Sequence, residues 1–187
     1  VWHLETGYLS VVGLNFRKSQ IFIMYIKAIF ARCSFIKSKI QAHGKDTDLL
    51  VFENSTWLIE SNRVSKRNQV YVAVQRYQHI KFKICNIKCI GRKQAHSFLD
   101  IQKANELNFV KNRCAGYFRD VLTVNQIHYI VIDQLKASLN NANSVTFNIS
   151  GALFFLIMQS TLLVDGIAVQ VKESAIALLK NNQIQPY

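Results

Sequence analysis

Between Val70 and Ile84 the chain alternates two kinds of residue. Val70, Val72, Val74, Ile80, Phe82 and Ile84 share one parity, and Tyr71, Gln75, Tyr77, His79, Lys81 and Lys83 share the other. On a backbone of period two, that pattern predicts one dry face and one face of rings and cations. Rings stack on bases of any identity, and ammonium and guanidinium groups neutralise phosphates. The expected chemistry is therefore nucleic-acid binding. Tyr71, Tyr77 and His79 would supply the stacking, while Arg63, Lys66, Arg67, Arg76, Lys81, Lys83, Lys88, Arg92 and Lys93 would meet the backbone. The plainer reading of the same residues is an exposed sheet face. Arg76 and Gln78 interrupt the apolar parity, which predicts a turn or bulge there.

The charge distribution supports the first reading. The 187 residues carry a net charge of +12, and from Gly7 to Leu99 there are 16 Lys and Arg against four acids. Ser61 to Leu99 holds nine basic residues and no acid, whereas residues 100–187 are near neutral, with seven against six. A field of one sign over such a span attracts polyanions. Composition is skewed toward Ile, Asn, Lys, Phe and Tyr, as AT-rich coding produces, and part of the Lys content can follow from that skew alone.

Other chemistry is less well supported. Cys85, Cys89, His96 and Cys114 loosely resemble a zinc-ligand series, but on a strand Cys85 and Cys89 would lie about 13 Å apart at ~3.3 Å per residue. Buried reduced thiols are the expectation, with no metal or cofactor. Asp46, Asp48, Glu53 and Glu60 raise the alternative of a metal-dependent nuclease, although no acid follows Glu60 for 39 residues. His128 and Asp133 are five apart and form no dyad on a helix. No string of the GxSxG, GxxxxGKS/T, GxGxxG or HExxH kind occurs. No catalytic residue is assigned, and the composition points away from an enzyme.

The elements that would position these groups read as a mixture. Residues 18–43 predict a long helix, with Phe22, Ile26, Ile29, Cys33, Ile36 and Ile40 as its apolar stripe and Lys18, Tyr25, Arg32 and Lys39 recurring every seven residues on another side. Leu49 to Phe52 and Thr56 to Ile59 predict short strands joined at Asn54 and Ser55. Ser97 with Asp100 and Thr123 with Gln126 look like helix-capping pairs ahead of helices reaching Val110 and Leu139. Val145 to Ile149 reads as a strand, Gly151 to Val164 as a buried helix, and Lys172 to Asn182 as a closing helix.

The expected fold class is α+β: a single domain over 1–187 in which a small, mostly antiparallel sheet packs with several helices. Residues 1–99 form its basic half and 100–187 its apolar half. Gly151 to Val164 gives only 14 uncharged residues before Asp165, short of the ~20 a span needs, so no membrane crossing is expected. The reading is a non-catalytic RNA-binding structural protein, RNA being favoured over DNA. It would be a ribosomal-type component of a ribonucleoprotein particle with protein neighbours along its apolar half. Free cysteines place it in a reducing intracellular compartment, and the compositional skew suggests a mitochondrial one. A viral coat or nucleocapsid subunit is a further alternative.

Overall fold

The computed structural model describes residues 1–61, 69–91, 96–139 and 145–186. Among them the chain forms strands and no helix, and each strand pairing is parallel. The fold is a parallel β-solenoid, which corrects the α+β expectation. Each coil has one long and one short side. The long sides are β1 (Trp2–Val12), β3 (Gln20–Ala31), the pair β5 (Lys39–His43) and β6 (Leu49–Glu53), β8 (Gln69–Lys83), β10 (His96–Val110), β12 (Asp120–Asp133), β14 (Val145–Met158), and the pair β16 (Ile167–Lys172) and β17 (Ile176–Lys180). The short sides are β2 (Asn15–Arg17), β4 (Ser34–Ile36), β7 (Thr56–Ser61), β9 (Asn86–Gly91), β11 (Arg113–Gly116), β13 (Lys136–Leu139), β15 (Thr161–Val164) and β18 (Gln183–Gln185). Long sides stack into one sheet and short sides into another.

The coil turns on residues in the left-handed region. Where the long side meets the short one, two residues make the corner, and the first has positive φ throughout the stack: Gly13, Arg32, Asn54, Ile84, Lys111, Gln134, Gln159 and Asn181. A second set bends the long side at its middle, at Tyr25, Arg76, Lys103, Gln126, Gly151 and Glu173. Lys18 and Lys37 make the return corner of the first coils. This explains the mistaken helix. Lys18, Tyr25 and Arg32 recur every seven residues because they are successive corners, and Phe22, Ile29 and Ile36 are only half-buried while Ile21, Ile23, Ala28, Phe30 and Phe35 fill the interior.

The other predicted helices fail for a related reason. Around the mid-side bend two outward residues separate successive inward ones, so Ile101, Ala104 and Leu107 are buried at steps of three, as are Val124, Ile127 and Ile130. A step of three within an apolar run imitates helical spacing. Ser97 and Gln126 are not capping groups: Ser97 donates to Asp120 Oδ2 at 2.9 Å, and Gln126 is a corner. Gly151 to Val164 and Lys172 to Asn182 are likewise strand and corner. The expected strands at 49–52 and 56–59 are present, but they are neighbouring sides of one coil rather than a hairpin.

The interior is built as ladders of like residues. Phe30, Phe52, Phe82 and Phe109 occupy one column, with ring centroids 5.2, 4.8 and 5.7 Å apart in turn. Phe16, Phe35 and Trp57 form another, at 5.1 and 4.6 Å. Such ring pairs add roughly 0.5–1.5 kcal/mol each beyond the area they bury. Polar groups enter the interior at the second corner residue. There Ser55, Asn112, Ser160 and Asn182 accept a backbone N–H from the preceding coil, those of Cys33, Cys85, Leu135 and Ser160.

Candidate functional site

The parallel register decides which side chains share a face, because outward residues at one level line up about 4.8 Å apart along the stack. On the short-strand sheet one outward column reads Asn15, Ser34, Thr56, Asn86, Arg113, Lys136, Thr161 and Gln183. It is polar along its whole length and holds no acid. The next column carries Arg17, Ile36, Leu58, Lys88, Ala115, Ser138, Leu163 and Gln185. Among the described short strands the one carboxylate is Glu60, which Lys37 binds at 2.6 Å. Arg113 and Lys136 are exposed direct neighbours, Lys88 is exposed on the strand before them, and Lys111 stands at the adjoining corner. Like charges side by side on a flat sheet repel unless an anion joins them.

The sequence-predicted site does not come together as one surface. Tyr71 and Tyr77 are buried, at 5% and 1% exposure, so their rings are closed to a base. Burial also pushes the Tyr71 phenol up to about 12 and the Tyr77 phenol higher still. Tyr77 is the interior residue after the Arg76 corner, a phase change that strict alternation misses; Tyr71 is buried beside Val72 ahead of that corner, with Lys39 Nζ 5.8 Å from its ring centroid. His79 remains outside and binds Glu106 at 2.8 Å, and Lys83 binds Glu53 at 2.9 Å. That pairing holds the Glu53 carboxyl below its usual range, through the hydrogen bond and charge of Lys83. Lys81 lies on the outer long-strand sheet, Arg76 on the mid-side corner, and Lys88 on the short-strand sheet. Arg63, Lys66, Arg67, Arg92 and Lys93 lie outside the described residues. Sequence reasoning missed Arg113 and Lys136, whose alignment depends on a register that no local pattern announces.

Of the carboxylates proposed for a nuclease, Asp48, Glu53 and Glu60 are separately engaged, and Asp46 is exposed. Asp48 is buried and accepts the Lys45 N–H at 2.7 Å, while Glu53 and Glu60 are each tied to a lysine. Among the described residues no three His, Cys, Asp or Glu side chains converge. Cys85, Cys89 and Cys114 are buried free thiols, and burial raises Cys85 to about 12 and Cys89 to about 11. Such thiols are poor nucleophiles near neutral pH. The His96 side chain lies outside the description.

A groove of about 520 Å³ lies on the outer long-strand sheet. It holds Tyr25, His43, Gln75, Asp100 and Gln102, with His43 Nδ1 3.1 Å from Gln75 Oε1 and Gln102 Nε2 donating to Asp100 at 2.8 Å. The Gln75 and Gln102 amides are engaged with neighbouring side chains. Farther along the same sheet, Tyr129, Leu153, Ile176 and Leu178 leave apolar surface exposed.

Among the described residues no helix is long and apolar enough to cross a membrane. Compared with known proteins, the chain matches no family model, no curated protein and no solved structure.

Proposed function

We propose that the chain is a non-catalytic scaffold that binds a linear polyanion, nucleic acid and RNA in particular, along its short-strand sheet. The reading rests on the acid-free outward column of that sheet, in which Arg113 and Lys136 adjoin, with Lys88 and Lys111 beside them. A rigid row of cations and hydrogen-bonding side chains suits a repeating backbone rather than a compact ligand. It keeps the cationic chemistry of the sequence reading and moves it to a different face, without the tyrosine platform. The exposed apolar surface at Tyr129, Leu153, Ile176 and Leu178 would supply contacts to protein neighbours.

Single-stranded RNA binding measured by fluorescence anisotropy tests this directly. If three phosphates are neutralised, a fourfold rise in salt should weaken binding roughly 20-fold. Arg113→Glu with Lys136→Glu should weaken it at least as much, whereas Lys27→Glu with Lys81→Glu, on the other sheet, should change it little. Affinity that ignores salt, or that is lost equally in both double variants, removes the short-strand face from consideration. Duplex DNA and a sulfated glycan in parallel distinguish RNA from any polyanion.

A further inference from the structure

One small residue places the groove on the outer long-strand sheet. In the outward column Phe22, Gln41, Ala73, Asp100, Thr123 and Asn148, Ala73 alone has no side chain beyond Cβ, so a depression opens between Gln41 and Asp100. The neighbouring outward column, His43, Gln75, Gln102, Asn125 and Ser150, forms its other side. Phe22 and Tyr25 wall it with rings. Tyr25 is held by the His43 ring, edge-on at 5.5 Å, and by Lys45 Nζ, 5.3 Å from its centroid. A concavity of about 520 Å³ with apolar walls and a few converging polar groups has the size and make-up of a small-ligand site.

The polar groups are fixed before any ligand arrives. His43 Nδ1 lies 3.1 Å from Gln75 Oε1, Gln102 Nε2 donates to Asp100 Oδ1 at 2.8 Å, and Asn125 Nδ2 donates to Gln102 Oε1 at 3.3 Å. Side chains held in this way lose little rotamer freedom on binding. The same bonds leave Gln75 Nε2, the second Asp100 oxygen and the whole Gln41 amide without partners among the described residues. Donors and acceptors therefore lie side by side, which suits hydroxyl groups, since each both gives and takes a hydrogen bond.

Three features narrow the occupant. Among the described residues no Lys or Arg lines the groove and no cation pairs with Asp100, so its carboxylate disfavours an anion. Past His43 the two columns carry no ring, so successive bases would find no platform. The columns continue as uncharged hydrogen-bonding groups through Thr123, Asn125, Asn148 and Ser150, one pair per coil at about 4.8 Å. An extended β-1,4-linked pyranose chain advances by nearly one such step per sugar, and its C–H faces pack on rings such as Phe22 and Tyr25. We infer that the outer long-strand sheet binds a neutral β-1,4-linked oligosaccharide laid along the coil axis, seated in the groove at Ala73 and continuing across β10, β12 and β14. This lane lies on a different sheet from Arg113 and Lys136, so its ligand is independent of the polyanion.

Calorimetric titration with cellohexaose tests the inference, with cellotriose, maltohexaose and hexagalacturonic acid as comparisons. The expected result is saturable binding of cellohexaose that a fourfold rise in salt leaves unchanged, because no counterion is released. Cellotriose, which reaches only part of the lane, and maltohexaose, whose α-linkage curls the chain, should both bind more weakly. Gln75→Ala with Gln102→Ala should weaken cellohexaose binding about tenfold, since two hydrogen-bonding arms are lost. Both residues are exposed, so neither change disturbs the interior. Ala73→Phe should abolish binding by filling the depression, with circular dichroism confirming the strands, whereas Arg113→Glu with Lys136→Glu should leave it unchanged. No saturable binding of cellohexaose, or equal binding by the Gln75 and Gln102 double variant, overturns the inference. So does tighter binding of maltohexaose or of hexagalacturonic acid.

Discussion

Asn112 closes the corner at Cys85 from two sides. Its Oδ1 accepts the Cys85 N–H at 2.8 Å, and its Nδ2 donates to the Phe82 carbonyl at 3.0 Å. Asn182 repeats the arrangement with the Ser160 N–H and the Ile157 carbonyl. One amide thus satisfies a donor and an acceptor that the left-handed corner takes out of the sheet ladder.

Asn112→Ala should therefore destabilise the protein by about 2–4 kcal/mol, because two buried polar groups lose their partners at ~1–3 kcal/mol each. Asn112→Ser should recover part of this, as the hydroxyls of Ser55 and Ser160 serve equivalent corners. Urea denaturation measures both. An alanine variant within ~0.5 kcal/mol of the parent would show that the corner does not depend on this amide.

Ile84 has φ +55, a conformation that branching at Cβ disfavours, and its side chain is 47% exposed. Asparagine already occupies the same corner position at Asn54 and Asn181. Ile84→Asn should stabilise the fold by roughly 1 kcal/mol, since relief of the left-handed strain outweighs the small loss of burial. A lower thermal midpoint in this variant would contradict the assignment of strain.

The buried thiols link stability to alkaline pH. In the folded chain Cys85 and Cys89 keep their protons up to about 12 and about 11, against an ordinary value of 9.0. Above pH 9 the unfolded chain releases those protons and the folded chain does not, so the unfolded state is favoured as pH rises. Stability should be constant from pH 7 to 8.5 and then fall, by as much as ~1.4 kcal/mol per thiol for each full pH unit. Thermal melts across this range in Cys85→Ala should decline less steeply than in the parent; equal slopes would discount the thiol.

Much of the interior was legible in the sequence, but its organisation was not. Of Val70, Val72, Val74, Ile80, Phe82 and Ile84, the residues expected on one dry face, Val72, Val74, Ile80 and Phe82 are buried, whereas Val70 is half-buried and Ile84 is an exposed corner; the interruption expected near Arg76 is also a corner. What failed was the period. A run of period two that restarts at each corner gives inward residues at mixed steps of two and three, and over Phe22 to Ile40 that mixture matches a helical stripe as well as it matches a strand. The corners themselves carry Arg, Lys, Gln, Ile and Tyr more often than Gly or Asn, so the usual turn residues do not mark them. Tyr77 faces inward for the same reason, since the alternation restarts after Arg76. Lys88, Arg113 and Lys136 come from separate coils, and only the parallel register puts them on one sheet.

The partners that meet at each corner are 22 to 27 residues apart in the chain. No coil can bury its apolar face before a neighbour has wound beside it, so the first two coils to form carry nearly all the entropic penalty and each later one adds at a fixed increment. Refolding should therefore be slow to begin and quick to propagate, starting where Phe52, Phe82 and Trp57 pack and advancing outward like a thread being wound onto a spool. Loss of a terminal coil would shorten the spool and leave its centre intact.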